Sequence, residues 1–333
     1  MTGQADPPRA ADRLDAGTRG AVLALAADAA GQDGVAPLSE AFRLALGDPA
    51  PPAPGDPAPP TPGDPAPPAH RDDGVADVPH ATHLLAERDG HLAGYAQRAG
   101  DGSAELVVAP AQRGRGVGRA LLRGLLDLGP TRVWAHGDLP AAGALAASEG
   151  LVPVRSLHLM ARPLSDADRA DPALPPGFRV RAFRPGPDDD AWLAVNAAAF
   201  ATHPEQGSLT LEDLRARVAK PWFDASGFLL LDDVSGGGAA PRLAAFHWTK
   251  VESPPAGRGE VYVLGVHPAY QGRGLAGPLT RLGLAALARR GLGEVVLYVD
   301  GDNAAALATY RAQGFRDRSV DVMYAGPPDR ATG

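Results

Sequence analysis

Cysteine is absent from the 333-residue sequence, and its absence removes several kinds of chemistry. Without cysteine the chain has no disulfide bond, no thiolate metal site and no thiol nucleophile. Any acyl group that it transfers must therefore pass directly to its acceptor, or through serine, threonine or another group. Aromatic residues are also few, at 5% of the sequence.

Long apolar runs and an excess of positive charge are missing as well. No apolar run approaches the roughly 18 residues of a membrane-spanning helix, and residues 1–8 show no basic region followed by an apolar stretch. The formal net charge is −7, whereas binding to phosphate backbones requires the opposite sign. We therefore expect a cytoplasmic monomer that acts on small molecules, and neither nucleic acid nor a membrane as a partner.

Proline is abundant in one place. A segment beginning Gly47-Asp48-Pro49 recurs at Gly55 and again at Gly63, which defines a proline-rich insertion over residues 47–69. Such a segment cannot pack as helix or strand, so we expect an extended, solvated excursion. A docking site for a proline-binding partner is the alternative.

The sequence is duplicated. On each side of a proline-rich break, an apolar strand leads through a short turn into a Gly/Arg loop and an amphipathic helix, around residues 104–118 and again around 261–276. The length also suits two domains. We predict an N-terminal domain over residues 1–162, a linker over 163–177 and a C-terminal domain over 178–326.

The C-terminal copy is the more complete in its predicted elements. The first copy lacks a clear first strand and has a strand at 82–87. In the second copy, strands are predicted at 178–183, 228–232, 242–250, 260–266, 294–299 and 319–324, and helices at 189–201, 209–218, 275–291 and 303–313. This alternation predicts an α/β (α+β, mixed-sheet) fold.

The loop Gln271 to Ala276 lies between a predicted strand and a predicted helix. Glycines allow the backbone to approach an anion closely, and the first amides and the dipole of the helix then point at that anion. A pyrophosphate is the natural ligand. The loop lacks the Gly-Lys-Ser/Thr of a Walker A motif, and its glycines are too few for a dinucleotide fingerprint.

Both loops resemble the acetyl-CoA pyrophosphate loop of the GNAT acetyltransferase superfamily. The first reads Arg113-x-x-Gly116-x-Gly118 and the second Gln271-x-x-Gly274-x-Ala276. The resemblance implies two tandem acyl-CoA N-acyltransferase domains with V-splayed sheets, and acetyl-CoA as co-substrate without a metal. It implies cofactor contacts in the first copy at Leu106, Val107, Val108, Arg113, Gly114, Arg115, Gly116, Val117, Gly118 and Arg119. In the second copy it implies contacts at Leu264, Gly265, Val266, Gln271, Gly272, Arg273, Gly274, Leu275, Ala276, Gly277, Asn303, Ala304, Ala305, Ala306, Leu307 and Ala308.

Several local strings resemble one tandem-domain branch of that superfamily. They are His203-Pro204-Glu205-Gln206-Gly207, Phe246 to Lys250, Gly259 to Val266, Leu297-Tyr298-Val299, and Asp302 to Ala306 with Tyr310. The resemblance implies an acceptor that carries a cysteinyl amine on a glucosaminyl-inositol. It also implies acceptor-binding residues, namely Glu40, Glu205, Lys250, Glu260 and Tyr298.

Two residues are candidates for the chemistry of acyl transfer to an amine. The amine must be neutral and the departing thiolate needs a proton. Glu260, before the second loop, is the predicted general base, through water. Tyr310, on the helix after Asn303, is the predicted acid, with a buried core tyrosine as the alternative.

The two copies differ at these positions. Aligning Gly150 with Gly314 places Ala146 opposite Tyr310 and Leu139 opposite Asn303. The first copy thus keeps the phosphate loop and loses the acid, so we predict that it binds acetyl-CoA without catalysis.

Two other functions stay open. One is a tandem acetyltransferase for a different small amine, and the other is a non-catalytic acetyl-CoA-binding module. His203 and His247 lack a third ligand at suitable spacing, so we interpret them as structural histidines.

Overall fold

The computed structural model describes residues 7–46, 81–201, 204–236, 240–251 and 257–327. The proline-rich insertion and His203 lie outside these residues. The chain divides into two units. The first unit comprises the residues up to Leu157 together with those from Ser319 on, and the second comprises His158–Arg318. The predicted boundaries lie at residues 162, 178 and 326, and they assign the last strand to the C-terminal domain.

The described strands and helices are as follows. The strands are β1 Arg9–Ala11, β2 Thr82–Arg88, β3 His91–Arg98, β4 Ser103–Val108, β5 Arg132–Ala135, β6 Val152–Pro163, β7 Phe178–Ala182, β8 Phe228–Asp233, β9 Arg242–Lys250, β10 Arg258–Val266, β11 Glu294–Asp300 and β12 Arg316–Ala325. The helices are α1 Ala16–Asp33, α2 Glu40–Leu44, α3 Val117–Asp127, α4 Pro140–Ser148, α5 Asp189–Ala199, α6 Pro204–Gly207, α7 Leu211–Val218, α8 Ala276–Arg289 and α9 Ala304–Ala312.

Each unit contains a mixed sheet. In the first unit β1 to β5 follow one another in chain order, and residues of β12 pair antiparallel with β5. In the second unit β7, β8, β9, β10 and β11 are neighbours in that order. Two of the described pairings are parallel, β4 with β5 and β10 with β11, and these are the equivalent strands of the two copies.

The first unit also contains a strand that the sequence did not reveal. The three residues of β1 pair antiparallel with β2, Ala10 opposite Leu84. An Arg-Ala-Ala segment has neither the length nor the β-branched residues that predict a strand, so its pairing partner determines its conformation.

Helices α3 and α8 follow the two phosphate loops and bury one face each. In α3 the buried residues Val117, Leu121, Leu122 and Leu125 recur at helical spacing. In α8 Leu279, Leu282 and further residues do the same. The buried faces pack each helix against the strands of its own unit. Within the described part of the chain, no helix is long and apolar enough to span a membrane.

Candidate active site

The second phosphate loop has the backbone that an anion site requires. Gly272 and Gly274 have φ of 74° and 72°, which L side chains rarely adopt. The Gln271 side chain donates from Nε2 to the carbonyl oxygen of Val266 at 3.2 Å, and this bond ties the loop to the end of β10. Gln271 thus shapes the loop.

The start of α8 presents amides and positive charge to this loop. Leu275 is the N-cap residue and provides no side-chain cap, so the first-turn amides are left for a ligand or solvent. The Arg273 guanidinium lies 4.8 Å from the centroid of the Tyr270 ring, a cation–π contact that holds this charge beside the loop. The Tyr270 hydroxyl donates to Asp233 at 3.1 Å.

The first phosphate loop repeats this arrangement with one addition. Gly114 and Gly116 have φ of 70° and 85°, and Arg113 Nε donates to the carbonyl oxygen of Val108 at 3.3 Å, as Gln271 does to Val266. Arg113 also forms two 2.7 Å bonds to the carboxylate of Asp33 at the end of α1. Asp33 was not predictable from the sequence, because nothing local links it to a loop so distant in the chain.

A cavity of about 500 Å³ lies in the first unit beside its phosphate loop. This volume is in the range of small-molecule sites. Eight of the predicted cofactor residues line it, namely Leu106, Val107, Val108, Arg113, Gly114, Gly116, Gly118 and Arg119. Val117 lies in the hydrophobic core instead, and Arg115 is exposed.

In both units the parallel pair of strands stays together only at its beginning. The register of β10 with β11 ends at Val261 opposite Leu297, and Leu264 to Val266 continue to pair with β9. The register of β4 with β5 ends at Ala104 opposite Val133. This is the splay that the resemblance to the GNAT superfamily implied, and in the first unit the cavity lies beside it.

Three of the predicted acceptor residues share one face of the second sheet. Glu260 on β10 lies opposite Lys250 on β9 and opposite Val296 on β11. Tyr298 follows Val296 by two residues and therefore points to the same side. The side chains of Glu40 and Glu205 lie outside the described part of the structure.

An irregularity in β10 adds aromatic residues to this face. The pairing with β9 shifts register between Val261 and Val263, so Tyr262 is the extra residue of a β-bulge. Its ring lies 5.1 Å from that of Trp222. The Lys250 Nζ is 5.4 Å from the Trp222 centroid and 5.9 Å from the Tyr262 centroid, and Arg217 Nε donates to the Tyr262 hydroxyl at 3.2 Å.

The predicted acid, Tyr310, lies on helix α9, which follows β11 in the chain. The Asn303 side chain accepts a hydrogen bond from Ala306 N at 3.1 Å and caps α9, whose first turns are Ala304 to Ala308. Its amide nitrogen remains able to donate. Tyr310 packs in a hydrophobic cluster with Leu307 and Phe315, and burial raises the pKa of its phenol to about 12.

A cluster of charged side chains follows β5 in the first unit. His136, after β5, lies 3.1 Å from Glu105 and 2.9 Å from Asp321 of β12. Burial lowers the pKa of His136, but the hydrogen bonds and charges of the two carboxylates outweigh it and raise the pKa to about 10. The second oxygen of Glu105 accepts from Ser39 N at 2.7 Å. Both oxygens of Glu105 are thus engaged in contacts within the first unit.

The chain is similar to known proteins over most of its length. Residues 52–147 and 197–315 match the Acetyltransferase (GNAT) family. A mycothiol acetyltransferase of Thermomonospora curvata is 48% identical over 314 residues, which cover 92% of this chain and 93% of that protein. Another, of Geodermatophilus obscurus, is 47% identical over 332 residues, 95% of this chain and 96% of that one.

Solved structures agree on the fold. A GCN5-related N-acetyltransferase from Sphaerobacter thermophilus has a TM-score of 0.67 at 23% identity, over 97% of this chain and 96% of that one. A tandem GNAT protein from the clavulanic acid biosynthesis pathway has a TM-score of 0.50 at 19% identity, over 74% of this chain and 83% of that one.

The chain belongs to the acetyltransferase (GNAT) family, and it is an acetyltransferase. Within that family, relatives that match it over most of its length are the proteins named mycothiol acetyltransferase. The predicted tandem α/β acyltransferase fold is confirmed. Members of the family use acetyl-CoA, and among the described residues no group of three His, Asp or Glu side chains is arranged to hold a metal.

Proposed function

We propose that the chain transfers the acetyl group of acetyl-CoA to the cysteinyl amine of the cysteinyl-glucosaminyl-inositol precursor, the last step in making mycothiol. The relatives that match most of the chain carry the corresponding name. The observation that supports it most directly is the shared face of Glu260, Lys250 and Tyr298, because a polyhydroxylated amine needs several polar partners around the reacting nitrogen.

The second unit carries out the reaction in this proposal. Glu260, acting through water, removes a proton from the acceptor ammonium, and the neutral nitrogen attacks the thioester carbonyl. Amides of Leu264 to Val266 donate to the carbonyl oxygen as negative charge develops there. The N–C bond forms, the C–S bond breaks, and Tyr310 gives its proton to the departing thiolate. The second proton that the nitrogen loses on becoming an amide passes to solvent, from which the Tyr310 phenolate is reprotonated. With a pKa of about 12, this phenol stays protonated until that moment.

The first unit binds acetyl-CoA without catalysis in this proposal. Its cavity and phosphate loop support binding. Leu139 is the N-cap residue of α4 and gives no side-chain cap, where Asn303 caps α9. Ala146 stands at the same distance from that cap as Tyr310 does from Asn303, so a proton donor is lacking at this position.

The test is acetyl transfer by the purified chain, with products identified by mass spectrometry because the acceptor is itself a thiol. The cysteinyl-glucosaminyl-inositol precursor is compared with glucosaminyl-inositol, cysteine and a polyamine at equal concentration. We expect acetylation at the cysteinyl nitrogen of the precursor, with a kcat/KM at least about a hundredfold above that of the other amines. Preference for another amine would overturn the acceptor assignment, and no transfer to any of the four amines would contradict the proposed reaction.

A further inference from the structure

A fully buried histidine contacts the first turn of the helix that follows the second phosphate loop. His247 on β9 has no exposed surface, and its Nδ1 lies 2.8 Å from the carbonyl oxygen of Leu279 in α8. A carbonyl oxygen only accepts, so Nδ1 carries the hydrogen and donates. Burial lowers the pKa of His247 to about 4, so the ring is neutral at physiological pH.

Helix α8 has a glycine where it packs against the His247 ring. Gly283 lies one turn beyond Leu279, and a Cβ atom at Gly283 would overlap the His247 imidazole. The missing side chain therefore makes room for the ring, and the ring fixes how α8 sits on β9. In the first unit the equivalent residues are Ala96 on β3 and Leu125 on α3, both fully buried in one apolar cluster. There the large residue is on the helix and the small one on the strand.

A line of hydrogen bonds leads from His247 to the start of α8. His247 donates to the carbonyl of Leu279, and the Thr280 hydroxyl donates to the carbonyl of Ala276 at 2.8 Å. Regular helix geometry adds the bond from Thr280 N to the same carbonyl of Ala276. The peptide unit of that carbonyl carries the N–H of Gly277, a first-turn amide beside the loop. Hydrogen bonds in such a chain polarise one another, here in the direction that favours an anion at the amide.

The first phosphate loop lacks this line. Aligned on their glycines, the loops place Leu121 opposite Leu279 and Leu122 opposite Thr280. Both leucines are buried in the core and have no side-chain donor. The two loops thus share their backbone and differ in what holds the helix behind them.

We propose that His247, with Thr280, is a positioning residue of the second unit, which holds the first-turn amides of α8 in place for the pyrophosphate of acetyl-CoA. This inference rests on the proposed function, because it takes the second loop as the acetyl-CoA site. His247 touches neither substrate. Its effect reaches the cofactor through the carbonyl of Leu279.

The experiment compares two acyl donors, acetyl-CoA and S-acetylpantetheine, which lacks the pyrophosphate. His247→Leu removes the donor, and His247→Asn retains a side-chain N–H near the position of Nδ1. We expect His247→Leu to raise the KM for acetyl-CoA about threefold to tenfold, with kcat changed less than about twofold and kcat/KM for S-acetylpantetheine unchanged. His247→Asn should restore most of the affinity for acetyl-CoA. A merely structural role would change both donors alike and would overturn the inference.

Two further variants keep the test decisive. His83→Leu is the matched control, because His83 is a buried histidine of the first unit whose Nδ1 bonds to the Tyr95 hydroxyl at 2.6 Å; its KM for acetyl-CoA should equal that of the wild type. If His247→Leu does not fold, Thr280→Val tests the same line and should raise the same KM by a smaller factor. An unchanged KM in Thr280→Val and in a folded His247 variant would overturn the inference. A wild-type chain inactive with acetyl-CoA would instead contradict the proposed function itself.

Discussion

The two units have similar phosphate loops and differ in the side chains that surround these loops. Each loop has two glycines with positive φ, and each is tied by its first side chain to the preceding strand. In the second unit Glu260 precedes the loop, whereas in the first Arg113 is paired with Asp33. A loop that binds a cofactor therefore says little by itself about whether its unit catalyses.

The sheet faces of the two units differ as well. In the second unit Phe246 and Trp248 of β9 are buried in an aromatic cluster, and β10 has a bulge at Tyr262. In the first unit the equivalent residues of β3 are Tyr95 and Gln97, joined by a 2.9 Å hydrogen bond. The described pairing of β3 with β4 has no shift of register. At these equivalent positions one unit packs aromatic rings, and the other forms a buried polar contact.

The largest expected effect concerns the two glutamates. Glu260→Gln removes the proposed base, so kcat should fall about a hundredfold to ten-thousandfold. Glu105→Gln, the control, removes the negative charge beside His136 in the first unit and should lower stability while leaving the kcat of the folded protein unchanged. Steady-state kinetics and a thermal melt measure both. A Glu260→Gln variant that keeps most of its kcat would remove this distinction between the units.

The two tyrosines give the next effect. Tyr310→Phe should lower kcat about tenfold to a hundredfold, whereas Tyr324→Phe, beside the cavity of the first unit, should not change it. Because the pKa of Tyr310 is about 12, its loss of a proton should not reduce the rate of the wild type anywhere below about pH 11. The measurement is the pH–rate profile of the three proteins. An alkaline loss of rate near pH 9 that Tyr310→Phe abolishes would contradict the assignment.

The paired loop glycines test whether binding and catalysis are separate. Gly274→Val and Gly116→Val force a β-branched residue into positive φ, at a cost of about 1–3 kcal/mol. The first should raise the KM for acetyl-CoA about tenfold. The second should abolish one of two binding events in calorimetry and leave turnover unchanged. Loss of turnover in folded Gly116→Val would show that the first site takes part in the reaction.

Opposite pH dependences are expected of the two units. The pKa of His136 is raised to about 10, so its stabilising contribution is complete below about pH 6.5 and lost as pH rises towards 10. Burial raises the pKa of Asp188 in the second unit, but hydrogen bonds from Arg184 and Arg181 outweigh burial and lower this pKa to about 2. Its contribution is complete above about pH 3.8 and lost as pH falls to 2.

Urea unfolding at a series of pH values measures these contributions. His136→Gln should be less stable at pH 7 and should show a shallower loss of stability between pH 7 and 10. Asp188→Asn should flatten the acid limb between pH 4 and 2 and leave the alkaline limb as in the wild type. If His136→Gln kept the full alkaline slope, the contacts of His136 with Glu105 and Asp321 would not be responsible for it.

Secondary structure that depends on neighbouring residues in the chain was predictable from the sequence. Residues 242–250 were predicted as a strand and are β9, because apolar runs and loop glycines report local structure. The three residues of β1 could not be predicted in this way, since their conformation comes from pairing with β2. The loops and the duplication were enough to predict the family.

Contacts between distant residues were not predictable from one sequence. Nothing near Arg113 indicates Asp33, and nothing near Lys250 indicates Trp222, which reaches it from the segment after α7. His247 was interpreted as structural from the lack of metal ligands, but its partner Leu279 becomes visible only when α8 is placed on β9. Such contacts depend on how the helices and strands pack in three dimensions.

The division of the chain has a consequence for synthesis. The first unit is the first to leave the ribosome, yet it needs residues from Ser319 on, which are made after the whole of the second unit. His136 is synthesised 185 residues before its partner Asp321. This interval corresponds to about 10–40 s at ordinary bacterial and eukaryotic rates of translation. During that time the nascent β5 edge lacks the strand that covers it and the imidazolium lacks one of its two carboxylates. The second unit is continuous in the chain, so the first unit cannot be completed before the whole of the second has been synthesised, although its own synthesis begins first.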